Sequence, residues 1–304
     1  MNSSGTPRFQ IFGALVLVQI LFGINYVTSK VIVGVLPPLA WDSLRVAITA
    51  ILLLGIALGA GKKCQPLKFE YLGPLSLYAL LGIVINLGAF LTGLQYTTAS
   101  NSAILNTLVP IFTLIIVTLK GQEPLSKNRV LGFLFAFLGV LVIRRVENFS
   151  LSDQTLLGDS LTLVNCISLS LFLVLSKNFV QKYDSIWTTT WLFILGSVGL
   201  GLLSIPSWTH FHFPPFNFTL IACMAYSIIG STLVAYFLNL WALARVKSSI
   251  VALCIYLQPV VASLLAWAWF GEIITSRTLI ASALIFTGIL FATWKSPPLP
   301  TPSG

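Results

Sequence analysis

Gln19, Gly23, Tyr26 and Lys30 stand at steps of four, three and four, so on a helix of about 3.6 residues per turn they share one stripe. An amide, a phenol and an ammonium on one face can orient a small polar molecule by hydrogen bonds and stack against its flat or apolar parts. None of these is a nucleophile with a base in register, so the chemistry on offer is recognition rather than bond making. The same residues also have a structural use: Gly23 admits a close neighbour, Gln19 bonds an adjacent helix, and Lys30 reaches water from a helix end. Polar side chains interrupt other apolar runs at Asn25, Asn86, Tyr96 and Asn106, and again at Asn165, Tyr226, Tyr236, Asn239, Trp241, Tyr256 and Gln258. Such residues are costly among apolar ones unless they face a partner or a wet cavity, which makes them the candidate lining of a binding cavity.

Formal charges fall where apolar runs end. Asp42 and Arg45, three apart, can form a local ion pair or meet a charged solute at a mouth, and Lys30 belongs to the same set of mouth charges. Glu123 and Glu272 each precede a helix start, where a carboxylate favours the positive dipole end. Asp159 is expected close to water. The centres of the apolar runs hold no carboxylate for proton or sodium capture and no cation for a phosphate. The expectation is uniport-like or weakly coupled movement of an uncharged or zwitterionic molecule of amino-acid size.

Cys64, Cys166, Cys223 and Cys254 have no paired spacing, which favours buried packing over disulfides or metal. His210 and His212 sit in one aromatic segment and do not complete a coordination shell, so no metal site is assigned. No phosphate-cradling glycine loop is present, and no cofactor is implied. Asn148-Phe149-Ser150 and Asn217-Phe218-Thr219 are glycosylation sequons, short enough to arise by chance.

These side chains have to be held by membrane helices. The 304 residues are 57% hydrophobic and 8% charged, against about 25% charged in an ordinary soluble domain. Runs long enough to cross a hydrocarbon core, which takes about 20 helical residues, lie at 11–29, 38–59, 72–93, 102–119 and 129–146, then at 157–176, 185–205, 218–241, 249–270 and 277–294. They do not alternate as barrel strands do, which leaves helices. The first run exceeds a signal-peptide core and lacks an obvious cleavage site.

The two sets of five are copies. Residues 103–143 match residues 252–292 at a constant offset of 149, which aligns Ala103 with Ala252, Pro110 with Pro259, Glu123 with Glu272 and Gly139 with Gly288. An odd number of spans per copy turns the second half upside down, as in many secondary transporters. Pro110 and Pro259 each remove a helix donor and clash with the carbonyl four residues earlier, at Asn106 and Ile255. The resulting kinks serve either as hinges beside the amides of Asn106 and Gln258 or as plain structure. With the N-terminus inside, 12 of the 17 basic residues fall on the cytoplasmic side, which places both termini there. The net charge of +9 then reflects topology and anionic lipid rather than nucleic acid, since no single patch gathers it.

The stretches FGINYVTSK and PPLAWDSLR, followed by GLQYTTASNSAILNTLVPIFTLIIVTLKGQEPLSKNRVLGFLFAFLGVLVI and the second copy ending FGEIITSRTLIASALIFTGILFA, make the chain resemble the EamA family of the drug/metabolite transporter superfamily. The resemblance covers nearly the whole chain. It departs early in the second half, where Ser176-Lys177 echoes Ser29-Lys30 but nothing matches Asp42 or Arg45. It implies an all-α integral membrane fold of ten transmembrane helices in two inverted five-helix repeats, at 1–147 and 157–294, with a disordered cytoplasmic tail at 295–304. It also implies a multi-pass carrier of the plasma membrane, often an exporter, with a central cavity between the first four helices of each half and the fifth and tenth at the periphery. Partners expected are a small-molecule substrate and membrane lipid, with no nucleic acid; a homodimer is left open. Amino acids or similar metabolites are the expected cargo. The alternatives are an antiporter of larger anionic metabolites of nucleotide-sugar or sugar-phosphate type, anchored by Lys30, Arg45 and Lys177, or a non-transporting scaffold; clustered catalytic groups that would mark an enzyme are missing from the spans.

Overall fold

In lipid, an apolar segment satisfies its N–H and C=O groups only by coiling on itself, and every regular element among the described residues is helical. The computed structural model describes residues 7–60, 69–97, 102, 104–143, 156–208, 217–258, 260, 261, 264 and 276–293. The first half contributes α1 (Arg8–Val33), α2 (Pro38–Gly59), α3 (Phe69–Tyr96), α4 (Leu108–Leu119) and α5 (Lys127–Ile143). The second contributes α6 (Leu156–Leu175), α7 (Ser185–Trp208), α8 (Phe218–Leu243), α9 (Ser248–Leu257) and α10 (Ser276–Thr293), with a short helix Lys177–Lys182 after α6.

The helices begin where local chemistry allows. Pro38 opens α2, where a missing donor costs nothing. Asp184 Oδ1 accepts the N–H groups of Ile186 at 2.9 Å and Trp187 at 3.3 Å ahead of α7, and Asn217 Oδ1 accepts that of Leu220 at 2.7 Å ahead of α8. Gly121, at φ 63°, turns the chain just beyond α4. Outward side chains such as Phe9, Val27, Ile51, Leu202 and Leu279 are all more than 60% exposed, a girdle that water would not tolerate and lipid solvates.

Six helices, α1, α2, α3, α6, α7 and α8, are long and apolar enough to cross a membrane. The described parts of α4 and α9 and the apolar stretch Leu279–Ala292 of α10 are shorter. Ahead of α4 the helical pattern breaks into a turn at Asn106 and Thr107, and α9 tightens into a 3₁₀ turn over Cys254–Leu257. Departures also occur in the third helix of each half. α3 widens into a π-helical segment over Leu80–Ile85, and α8 does so over Ser227–Val234, overlapping positions at the 149-residue offset. In α8 the Thr232 hydroxyl donates to the Ser227 carbonyl at 2.6 Å, taking up an acceptor at the start of the wider turn, and Ser231 Oγ lies 3.0 Å from the same oxygen.

The inversion of the halves is written in the contact between α5 and α10. Gly132 backs onto Gly288 and Ala292, while Gly139 backs onto Ala281 and Ile285. Rising numbers on one helix meet falling numbers on the other, so the two run antiparallel. The offset of 149 converts Gly132 into Ala281 and Gly139 into Gly288, so each contact is the other's copy about an axis in the membrane plane. A Cβ on Gly288 would stand 2.5 Å from the Ala136 nitrogen, and one on Gly139 would stand 2.7 Å from the Ala281 carbonyl oxygen. The repeated glycines thus have a packing role at the rim of the bundle.

Candidate functional site

Between the halves lies a cavity of about 90 Å³. Gln19, Asn25, Tyr26, Asn86 and Asn106 line it from the first half, and Asn165, Tyr236, Asn239 and Gln258 from the second. The amide stripe of α1 and the amides beside the two helix breaks therefore converge on one space. Several span the seam directly: Gln258 Nε2 donates to Gln19 Oε1 at 2.9 Å, Ser231 Oγ to Asn25 Oδ1 at 2.7 Å, and Tyr236 OH to Asn86 Oδ1 at 2.9 Å. Asn165 Nδ2 adds a bond to the Asn86 carbonyl at 2.8 Å. Structural use and cavity lining thus coexist in the same side chains, while a Cβ at Gly23 would meet the Gln258 carbonyl oxygen at an ordinary 3.8 Å. Between the polar groups, Phe22, Leu87, Phe90, Leu169 and Ile255 give the wall an apolar character.

Four candidates, Tyr96, Trp241, Tyr256 and Tyr226, do not line this cavity. Tyr96, at the end of α3, is 48% exposed; Trp241 lies under the Arg245 guanidinium at 4.2 Å; Tyr256 is buried beside Phe137. Tyr226 donates to the Leu21 carbonyl at 2.7 Å and ties α8 to α1.

Asp42 and Arg45 require a correction. They form the expected ion pair at 2.6 Å, yet both side chains are buried, and Arg45 lines the cavity instead of standing at a watery mouth. The physical reason is a stripe on α2, since Asp42, Arg45 and Thr49 share one inward face at steps of three and four. Arg45 Nη1 reaches Ser227 Oγ in the π segment of α8 at 3.2 Å. Asp159, expected near water, is buried too and accepts from Thr97 Oγ1 at 2.5 Å. Both aspartates are thus buried although each stands near a helix start. Arg45 Nη2, Asn86 Nδ2, Asp42 Oδ2 and Asp159 Oδ2 are buried with no partner among the described residues, at a cost of about 1–3 kcal/mol for each such neutral group and more for charged ones.

Lys30 occupies a capping position. Its Nζ donates to the carbonyls of Leu94 at 2.8 Å and Thr97 at 3.3 Å at the end of α3. Lys177 repeats this in the second half, donating to the Leu243 carbonyl and to the Val246 carbonyl at 2.6 Å, just past the end of α8. The carbonyls themselves are 149 residues apart. A cation near the negative end of a helix is stabilising, so this lysine is a repeated fastener between the first and third helices. The two differ in surroundings: Lys30 is exposed, whereas Lys177 is buried, and burial pushes its ammonium down to about 7 against the opposing attraction of Glu123.

Glu123 does more than cap the helix that follows it. It accepts from Arg129 Nη1 at 3.0 Å, in the first turn of α5, and also from the N–H and hydroxyl of Ser249 at the start of α9. The break near Pro110 is likewise visible: the Asn106 carbonyl accepts the Val109 N–H at 3.1 Å in a tighter turn, and the Asn106 side chain bonds the Ser102 carbonyl at 3.1 Å. Cys166 and Cys254 are buried free thiols and Cys223 is half-buried, also free. Pro259, Glu272, Cys64, His210, His212, the sequon at Asn148 and the tail lie outside the described residues.

Comparison with known proteins now adds to this geometry. The model of the EamA-like transporter family matches residues 10–145 and 156–294. The "Uncharacterized transporter YoaV" of Bacillus subtilis (strain 168) is 25% identical over 92% of this chain and 95% of its own. An "Uncharacterized transporter" of Archaeoglobus fulgidus is 26% identical over 92% and 96%. A solved structure described as "Crystal structure of protein" superposes with a TM-score of 0.76 at 18% identity, covering 93% of this chain and 95% of that one, a likeness of fold.

Proposed function

The chain belongs to the EamA-like transporter family, and from that premise we propose that it is a secondary carrier, working as an exporter, of small uncharged or zwitterionic metabolites such as amino acids. The observation that carries this reading is the cavity on the seam, whose polar wall is assembled from both inverted halves. A site shared in this way changes access when one half rocks against the other, with no need for the substrate to leave the midplane. Amides and a phenol supply orientation, aromatic and aliphatic side chains supply area, and no catalytic role is assigned to any residue. Asn106, beside the break before Pro110, is placed where a rocking half would bend.

We further infer, from the excess of basic residues in the loops of that side, that both termini face the cytoplasm, in a protein of the plasma membrane. Under that orientation the Glu123–Ser249 contact lies on the cytoplasmic side and joins the halves there, while Lys30 marks the outer side. We keep to uniport-like or weakly coupled movement: Asp42 and Asp159 are buried, but both stand near the starts of their helices rather than at span centres. Arg45 gives some support to the anionic-metabolite alternative, but Asp42 neutralises it at 2.6 Å, which suits a single carboxylate better than a doubly charged phosphate. Uptake of labelled neutral amino acids into proteoliposomes tests the proposal: saturable flux above that of empty vesicles supports it, and its absence across neutral, acidic and basic amino acids rejects it.

A further inference from the structure

We propose that Arg45 and Asn86 form a carboxylate subsite within the cavity, so that the cargo is selected by a free acid group. This rests on the carrier reading above and adds the group by which substrate is held. Both residues line the cavity, and their side chains are 1–4% exposed. Arg45 spends Nε on Asp42 at 2.6 Å and Nη1 on Ser227 at 3.2 Å, leaving Nη2 without an acceptor among the described residues. Asn86 spends Oδ1 on the Tyr236 hydroxyl at 2.9 Å and its carbonyl on Asn165 at 2.8 Å, leaving Nδ2 likewise without one among the described residues.

What remains on these two cavity-lining residues is of one kind, N–H donors on a guanidinium and on an amide, both buried, while Asp42 Oδ2, also without a partner among the described residues, belongs to a residue that does not line the cavity. Tyr236 links the two, since it bonds Asn86 and lies within the electrostatic reach of both Arg45 and Asp42. A guanidinium with an unused nitrogen binds a carboxylate oxygen by a charge-assisted bond, stronger than a neutral one. An amide N–H₂ takes the second oxygen. The Asp42 partner holds the guanidinium in place and cancels its charge, so a zwitterion, whose own ammonium balances its carboxylate, is matched and a doubly charged phosphate is not. Phe22 and Phe90 on the same wall leave room for the apolar remainder of the molecule.

The test uses the full-length protein in proteoliposomes with labelled phenylalanine and its uncharged-headgroup analogue phenylalaninamide. Wild type is expected to favour phenylalanine by tenfold or more in initial rate over concentration. The double variant Asp42→Asn/Arg45→Gln, which keeps a neutral hydrogen-bonding pair, is expected to bring that ratio to within about threefold of unity. Asn86→Leu, which leaves the ion pair intact, is expected to lower the ratio several-fold and serves where the double variant fails to fold. Equal transport of the two compounds by wild type, or a ratio preserved in both variants, overturns the subsite while leaving the carrier reading in place. Where wild type carries neither compound, the same acid and amide pair of another amino acid that it does carry gives the ratio, and transport of no neutral, acidic or basic amino acid overturns both.

Discussion

Glu123, in the loop after α4 of the first half, accepts hydrogen bonds from both the N–H and the hydroxyl of Ser249, the second residue of α9 in the other half. Its other partner is Arg129, 3.0 Å away, and both charged side chains are 95% buried. One carboxylate thus joins α4, α5 and α9 on the face assigned to the cytoplasm. Removing the hydroxyl by Ser249→Ala should weaken this junction by about 1 kcal/mol, a several-fold shift toward the state open on that side. A cysteine placed at Asn239 should then react faster with an impermeant maleimide applied from the cytoplasmic side. An unchanged rate would mean that the contact does not control access.

Glu123→Gln is a harsher change, because it leaves the Arg129 guanidinium buried without a counter-charge. Breaking a buried pair in this way typically costs about 3–5 kcal/mol. The expected readout is a lower thermal midpoint in detergent than that of Ser249→Ala, partly restored when Arg129→Gln is added. Failure of the second change to restore any stability would remove the ion pair from the explanation.

Lys177 gives a pH signature. Its ammonium is pushed down to about 7 by burial, against an ordinary value of 10.5, so between those values the unfolded chain binds more protons than the folded one. Stability should therefore rise as pH increases from about 7 toward 10 through this group. Below pH 7 both states are protonated and the penalty of burying the charge is present in full. Thermal midpoints of wild type and Lys177→Met, measured from pH 6 to 9.5, should differ in slope, with the variant flatter.

The α5–α10 contact separates packing from transport. Gly288→Val would drive a side chain into Ala136 and Gly132 across a gap that already leaves no space for a Cβ. Overpacking of this kind costs about 1–3 kcal/mol. Yield and thermal midpoint should fall, while the surviving protein should keep its substrate preference, because neither helix lines the cavity. A changed preference would show that the rim helices shape the site.

Much of this was legible in the residues. The all-helical fold and its inverted halves followed from apolar run length and from the repeated Pro, Glu and Gly positions, and the stripe of Gln19, Gly23 and Tyr26 lies where helical periodicity put it. The same rule would have placed Arg45 inward, since Asp42, Arg45 and Thr49 also fall on one face; distance from a helix end was taken there as a measure of exposure, and in a bundle it is not. Ser231 and the partner of Glu123 carried no local signal. Their roles come from contacts between residues 206 and 126 positions apart, set by how the halves meet. The π segments were hidden for a related reason: an apolar run has the same composition whether it winds with 3.6 residues per turn or more. Tyr96 and Trp241 misled because an aromatic ring with a polar tip suits a membrane boundary as well as a cavity.

The most direct measurement is counterflow of labelled phenylalanine into proteoliposomes loaded with unlabelled phenylalanine. A carrier that alternates around a shared site should show saturable uptake, stimulated by the internal substrate and reduced tenfold or more in Asn86→Leu. Uptake equal to that of protein-free vesicles for the full set of neutral amino acids, or uptake that never saturates and ignores the internal pool, would contradict a substrate site on the seam.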